Sequence, residues 1–526
     1  MRTSVMEFTQ GASSDGGAPE RASGGRSAGE KISVMGSGAA VLVASLFGNG
    51  LNYLFMLFLA RQLGMEQFGL YALGVTLFNT VLLVGCAGLD TGVIKFVSAY
   101  MAQGRMDDAR RVIATAVTIV TLLGVVAGIG FWAMAAPLSE RLYQKPGLAL
   151  VLVCFAPALV FALIGTLLLS SLQAFHTVRY TVALKYLWEP VGKWVLAGMA
   201  IWAGWGLSGV VLGWGVVFGA TACLAGAALV RQGRLGVTDF AMLGRSEART
   251  LLSYSAPLFL ANLFGVVAPR ADVMLLGYWV SAEEVGVYLA AFQTAAVLAL
   301  ILGAFDVVFA PIMSRAWAAD DRLTFRESYV MVHRVAFTAT VPLCVLLVVF
   351  ADDVLGVFGS GFAAGGSILA ILAVGHLVNA SSGCANTALL MSGHSRIVLI
   401  NTVGYATLLI GATAAMIPVW GPGGAALAAS GSFALLNAVR VVQVWRLHRM
   451  LPWTWTLLKP LSAGVAMGLA IWLVKPFFAA AAYLPLGLMA CGLYLAVLYA
   501  ARLESDDALI LAALAARVRV AAGGAR

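Results

Sequence analysis

Apolar stretches long enough to cross a bilayer recur about fourteen times along this chain, and that feature decides its fold class. Their approximate bounds are 34–59, 70–98, 112–136, 148–173, 180–203, 207–230, 253–279, 287–313, 330–350, 366–392, 396–418, 422–445, 457–477 and 482–501. A helix needs about 20 apolar residues to traverse the hydrocarbon core, since each residue advances it by about 1.5 Å. In lipid every backbone N–H and C=O must be satisfied within the protein, which leaves helices or closed barrels. Barrel strands alternate apolar and polar residues, whereas these stretches stay apolar throughout. The chain is 61% hydrophobic and 11% charged, against about 45–50% and about 25% for soluble domains. A soluble enzyme, a disordered protein and a secreted disulfide scaffold are excluded. The expectation is an all-α polytopic membrane protein.

Loop charge orients the spans. If each stretch crosses once from a cytoplasmic N-terminus, nearly all loop Lys and Arg fall on one face. The other face holds only Arg61, Arg141, Lys145 and Lys475. By the positive-inside rule this supports fourteen spans with both termini cytoplasmic. The net charge of +9 therefore reads as basic cytoplasmic loops, with no call for nucleic acid. Residues 1–33 are polar and Gly/Ser-rich without a signal-peptide core, and read as a disordered cytoplasmic tail.

The chain also repeats itself. Glu66, Gly69 and Tyr71 align with Glu283, Gly286 and Tyr288 at one common offset, and Trp205-Gly206 and Gly209 align with Trp420-Gly421 and Gly424 at nearly the same offset. Two parallel six-helix lobes follow, plus two C-terminal helices. The expected organisation is an N-lobe over 34–230, a cytoplasmic linker over 231–252, a C-lobe over 253–445, helices thirteen and fourteen over 446–501, and a cytoplasmic tail over 502–526.

Catalytic, phosphate-loop and metal motifs are absent, and the six cysteines sit singly in apolar segments; no enzyme activity, cofactor or metal is expected. Intramembrane charge is the informative signal. A charge at the bilayer centre costs at least ~2.5–3.5 kcal/mol, so it needs a partner or an aqueous cavity. Lys185, Glu189 and Lys193 share one face of the fifth span at i, i+4, i+8 spacing. Pro190 should bend the helix beside them. Arg270 and Asp272 follow Pro269 in the seventh span and, being two apart, cannot neutralise each other across one face. The repeat places no charge at the corresponding positions of the other lobe, which favours function over architecture. By depth, Asp90, Lys95, Asp306 and Arg440 read as rim residues. Glu189 and Asp272 are the ion-coupling candidates.

Arg61, Leu63, Gly64, Phe68, Gly69 and Tyr71 form a pattern that resembles the first-lobe signature of the polysaccharide transporter (oligosaccharide flippase) family. The run from Arg270 to Tyr288, Phe358-Gly359, the segment Leu389–Gly393 and the segment Trp420–Ala426 continue the resemblance, which covers residues 33–445. That family belongs to the superfamily that also holds multidrug (MATE) exporters and lipid II flippases. The resemblance implies a flippase that moves polyprenyl-diphosphate-linked oligosaccharide across the bacterial inner membrane by alternating access, for O-antigen, capsule or exopolysaccharide assembly. Membrane lipids would surround it, and a polysaccharide polymerase and glycosyltransferases would be its pathway partners. The diphosphate calls for a cationic cavity, for which Arg270, Lys185 and Lys193 are the candidates. Asn49, Asn52, Asn79 and Asn262 are placed to hydrogen-bond sugar. A lipid II flippase, a MATE-like cation antiporter and a non-transporting assembly scaffold are the competing readings.

Overall fold

The computed structural model describes residues 28–175, 178–236, 239–240, 247–256, 259, 270–453, 455–478 and 483–500. Residues 1–27 of the expected N-terminal tail, the expected C-terminal tail, most of residues 257–269 (Asn262 and Pro269 among them) and part of the linker lie outside these, while residues 28–33, expected in the tail, belong to the first helix. Among the described residues every regular element is helical, and nine helices are long and apolar enough to cross a membrane. The protein is an all-α, multi-pass membrane protein. In chain order the main helices are α1 (Ala28–Cys86), α2 (Leu89–Ala102), α3 (Met106–Ala136), α4 (Gly147–Ala174), α5 (Glu189–Trp202), α6 (Gly206–Arg231) and α7 (Ala271–Trp279). The series continues with α8 (Ala282–Ala318), α9 (Arg322–Val349), α10 (Gly366–Ser382), α11 (Ala385–Met391), α12 (Ser395–His448), α13 (Leu458–Val474) and α14 (Tyr483–Ala500).

Two of these helices are far longer than a bilayer is thick, and glycine resolves the conflict. Straight, the 59 residues of α1 would reach about 90 Å. The helix instead breaks at Gly64 (φ 77°, ψ 176°), a backbone state that a side chain disfavours. Residues 49–56 and 71–82 then line the same cavity, so the chain folds back on itself at that glycine. The 54-residue α12 breaks likewise at Gly421 (φ 55°, ψ −138°), between Pro418 and Pro422. Spans expected as separate helices with loops are thus joined through a single residue.

The reverse also occurs. The stretch 70–98, read as one span, is cut by left-handed backbone at Ala87 (φ 47°) and Gly88 (φ 72°). The stretch 366–392 is cut at Gly383 (φ 61°), where a Cβ would lie 2.7 Å from the His333 side chain.

The two halves of the chain meet most closely around the repeated glycines. A Cβ on Gly69 would stand 1.7 Å from the Ala282 carbonyl oxygen, and one on Gly286 would stand 2.7 Å from that of Met65. Backbone therefore packs on backbone where α1 crosses α8. Nearby, Arg61 Nε donates to the Val357 carbonyl at 2.6 Å and Lys145 Nζ to that of Gly277 at 2.5 Å. A single buried apolar core runs through this end from Leu59, Phe68 and Tyr71 to Val285, Tyr288, Phe358 and Phe362. At the opposite end, where Arg105, Arg110, Arg234 and Arg322 lie, the second half has a separate core around Phe325 and Tyr329. The halves are packed backbone to backbone at the glycine end, and towards the basic end α2 meets residues 251–255, where a Cβ on Gly92 would stand 2.8 Å from the Ser255 hydroxyl. Helices α13 and α14 pack on α9 and turn apolar faces outward, with Trp472 66% and Tyr499 81% exposed, as lipid-facing positions require.

Candidate functional site

Between the halves lies a cavity of about 720 Å³. The first half contributes Asn49, Asn52, Thr76, Asn79 and Asp90 from α1 and α2, and Gln173 from α4. Trp214 and Phe218 of α6 form an aromatic wall, while Arg270, Leu289, Phe292 and Gln293 close the side belonging to the second half. Lys185, Glu189 and Lys193 all face in.

The charged ladder owes its geometry to an irregular turn. Residues Val182–Trp188 form a π-helix that ends at Glu189, with Pro190 in the first turn of α5. Pro190 has no N–H to give, so the helix around it must leave a carbonyl unbonded or change its spacing. The expected bend takes the form of this widened turn, and π-turns recur at functional sites. Among the described residues Glu189 closes no ion pair with Lys185 or Lys193. Lys193 Nζ instead stands 3.8 Å from the centroid of a Trp214 ring and 4.9 Å from that of Phe218. The ring quadrupole steadies an ammonium without neutralising it. Trp194, next along α5, anchors the helix by donating Nε1 to the Leu51 carbonyl at 3.0 Å.

Arg270 and Asp272 part company. Arg270 caps α7 half-buried and faces the cavity. Asp272, 1% exposed, turns into the second half. There the Tyr288 hydroxyl donates to it at 2.5 Å and the Val273 amide at 2.7 Å. Asp272 does not line the cavity. Its partner comes from the repeat motif, since Tyr288 is the counterpart of Tyr71, which lines the cavity. Asn262 lies outside the described residues.

The residues expected at the rim each meet the cavity or a partner. Asp90 faces the cavity, because the chain breaks at Ala87–Gly88 and Asp90 sits in the first turn of a new helix. Depth arithmetic along one continuous helix could not show this. Asp306 accepts a 2.9 Å hydrogen bond from Thr387 and so ties α8 to α11. Lys95 packs its ammonium 3.7 Å from the centroid of the Tyr254 ring, and Arg440 donates to Asn437 at 3.4 Å. Gln173, Gln293 and Trp214 were not legible as site residues. Uncharged polar and aromatic side chains are common in membrane helices, and only the fold brings these three together. The cavity thus sets three cations, Lys185, Lys193 and Arg270, against the two carboxylates of Asp90 and Glu189.

Known proteins resemble this chain in sequence and in fold. Residues 35–317 match the family described as polysaccharide biosynthesis protein, and residues 257–414 match the MatE family. A probable low-salt glycan biosynthesis flippase, Agl15 of Haloferax volcanii, is 23% identical over 359 residues, spanning 64% of this chain and 68% of that protein. Among solved structures, the inward closed conformation of the lipid II flippase MurJ superposes with a TM-score of 0.72 at 12% identity, covering 86% of this chain and 97% of that one. The inward-facing conformation of a multidrug resistance MATE transporter of the MOP superfamily gives 0.65 at 14% identity, covering 78% and 94%. At such identities these likenesses speak for the fold.

Proposed function

The chain belongs to the polysaccharide biosynthesis protein family, and from that premise we propose that it is a flippase for polyprenyl-diphosphate-linked oligosaccharide units. The observation that carries the reading is the convergence of Lys185, Lys193 and Arg270, from two halves of the chain, on one cavity with Asn49 and Asn52. A diphosphate headgroup brings concentrated negative charge into a low-dielectric region, where it needs cations that are not already neutralised. Arg270 offers a planar fork for phosphate oxygens, and the two lysines offer mobile point charges. The asparagines, Gln173 and Gln293 supply donors and acceptors for sugar hydroxyls. Apolar outer faces leave the polyprenyl tail in lipid while the head crosses.

In this reading the two halves act as lobes of an alternating-access transporter, closed at the glycine end. The basic end faces the cytoplasm and the membrane is the bacterial inner membrane. Glycosyltransferases would build the substrate on the cytoplasmic side, and a polymerase would consume it on the other. Glu189 lies against the substrate cations and is the better candidate for ion coupling. Asp272, held by Tyr288, acts at most through the packing of α7. A cation antiporter fits less well, because its cavity would carry net acidic charge.

The test is the accumulation of lipid-linked repeat units on the cytoplasmic leaflet, with membrane protein level measured in parallel. Arg270→Glu should abolish export, while Arg270→Lys retains part of it by keeping the charge and losing the fork. Normal export by a stably inserted Arg270→Glu protein would remove Arg270 from the substrate path.

A further inference from the structure

A second pocket, of about 570 Å³, opens on the far side of the glycine crossing. The order of residues along two helices places it there. On α1 the pocket takes Glu66 and Leu70, and the cavity begins at Tyr71. Along α8 the pocket takes Ala282 and Glu283, and the cavity resumes at Leu289. Between them, backbone lies on backbone at Gly69 and Gly286. The pocket therefore sits on the closed face, across the seam between the halves.

Its lining differs in chemistry from that of the cavity. Glu66 and Glu283, paired by the repeat, are both exposed in it, as are Gln144, Tyr278 and Trp279. The lone cation, Lys145, is already engaged: its ammonium donates to the carbonyls of Gly277 and Tyr143, at 2.5 and 3.1 Å. Glu284 is engaged too, in the box that caps α8 with Ser281. The exposed groups that remain are two carboxylates, one amide and two aromatic rings, with the Tyr143 ring buried behind them. Tyr278 and Trp279 stand edge-to-face with centroids 5.0 Å apart, so two ring surfaces are offered in different planes.

An anion such as the diphosphate is repelled by this set. An uncharged pyranose suits it, because carboxylates and an amide each accept or bridge neighbouring hydroxyls while an aromatic face covers the apolar C–H side of the ring. We propose that this pocket is a carbohydrate subsite, receiving the sugar portion of the substrate on the side to which it is released. The headgroup would then be handled by two chemically distinct sites in series: a cationic cavity that holds the sugar through its diphosphate, and an acidic, aromatic seat for the sugar itself. The proposal rests on the flippase reading above, but it can fail separately.

The experiment uses the full-length protein in lipid nanodiscs and two probes. One is the repeat-unit oligosaccharide freed from its carrier by mild acid, so that it lacks phosphate; the other is inorganic pyrophosphate. Binding is read by saturation-transfer difference NMR. The free oligosaccharide should bind wild type, and Trp279→Ala should weaken it about tenfold, a loss of about 1.4 kcal/mol. The double variant Glu66→Gln/Glu283→Gln should weaken it comparably, and Lys193→Ala should leave it unchanged. Trp279→Phe keeps a ring and should retain most of the binding, which separates stacking from a folding defect. Pyrophosphate should show the opposite pattern, lost in Lys193→Ala and kept in Trp279→Ala. Oligosaccharide binding that follows Lys193 and ignores Trp279 would place all sugar contacts in the cavity and overturn the subsite. So would its absence from wild type, or a requirement for a divalent cation held by Glu66 and Glu283 without sugar. Failure of pyrophosphate to bind at all would instead count against the cavity reading.

Discussion

Gly69→Ala should unlock the closed end. The added methyl would sit 1.7 Å from the Ala282 carbonyl oxygen, whereas ordinary contact begins near 3.4 Å. The obstacle is backbone in the first turn of α8, so no side chain can rotate away, and the two helices must separate by more than an ångström. Overpacking of this kind costs about 1–3 kcal/mol, and it is charged only to the state in which the helices touch. A conformation open at the glycine end escapes it. The closed-to-open ratio should fall roughly five- to 150-fold. Spin labels at Ala203 and Val419, both exposed near the glycine end, would report this by electron–electron distance measurement. The background would carry Cys223→Ser and Cys491→Ser, the two described cysteines that are not buried. Gly50→Ala is the control, since a Cβ there meets nothing within 4 Å. The expected result is a longer distance population in Gly69→Ala and Gly286→Ala and none in Gly50→Ala. An unchanged distribution together with normal export would refute the idea that this crossing is the closure.

Further predictions concern the charged and aromatic groups. Trp214→Leu removes the ring beneath Lys193 and should weaken pyrophosphate binding by about 0.5–2 kcal/mol, measured by titration calorimetry. Glu189→Gln should reduce export while thermal unfolding in detergent stays near wild type, because the side chain faces the cavity; restoration of export on adding Lys185→Ala would make the ladder a structural pair. Tyr288→Phe strips the buried Asp272 of a donor and should destabilise the protein by about 1–3 kcal/mol, so its thermal midpoint should fall whether or not export does. A Tyr288→Phe protein with wild-type stability would mean that Asp272 finds another partner.

The fold was legible where it depends on length and apolarity, since a stretch of about 20 apolar residues has little choice in lipid. The glycine repeat was legible as well, though as a pattern; that Gly69 and Gly286 meet each other is a fact of three dimensions. Errors gathered where single residues override periodicity. Ala87 and Gly88 cut a helix that hydropathy draws as continuous, and so the place of Asp90 in the cavity lining was not foreseen. Of the charges singled out, Lys185, Glu189, Lys193 and Arg270 share the cavity because intramembrane charge is costly enough to announce itself. Asp272 announces itself by the same cost and yet is met by a tyrosine hydroxyl, a partner that sequence spacing does not reveal.

The π-turn at Val182–Trp188 makes residue count a determinant in its own right. A turn of this kind holds one residue more than an α-turn, and everything beyond it inherits that phase. Removing one uncharged residue between Lys185 and Trp188 would leave every charge in the chain intact and still swing Glu189 and Lys193 about 100° around the axis of α5. Lys193 would leave the Trp214 ring, and the cavity would lose a cation that no substitution had touched. In this helix the position of the charge is encoded as much in how many residues precede it as in which residues they are.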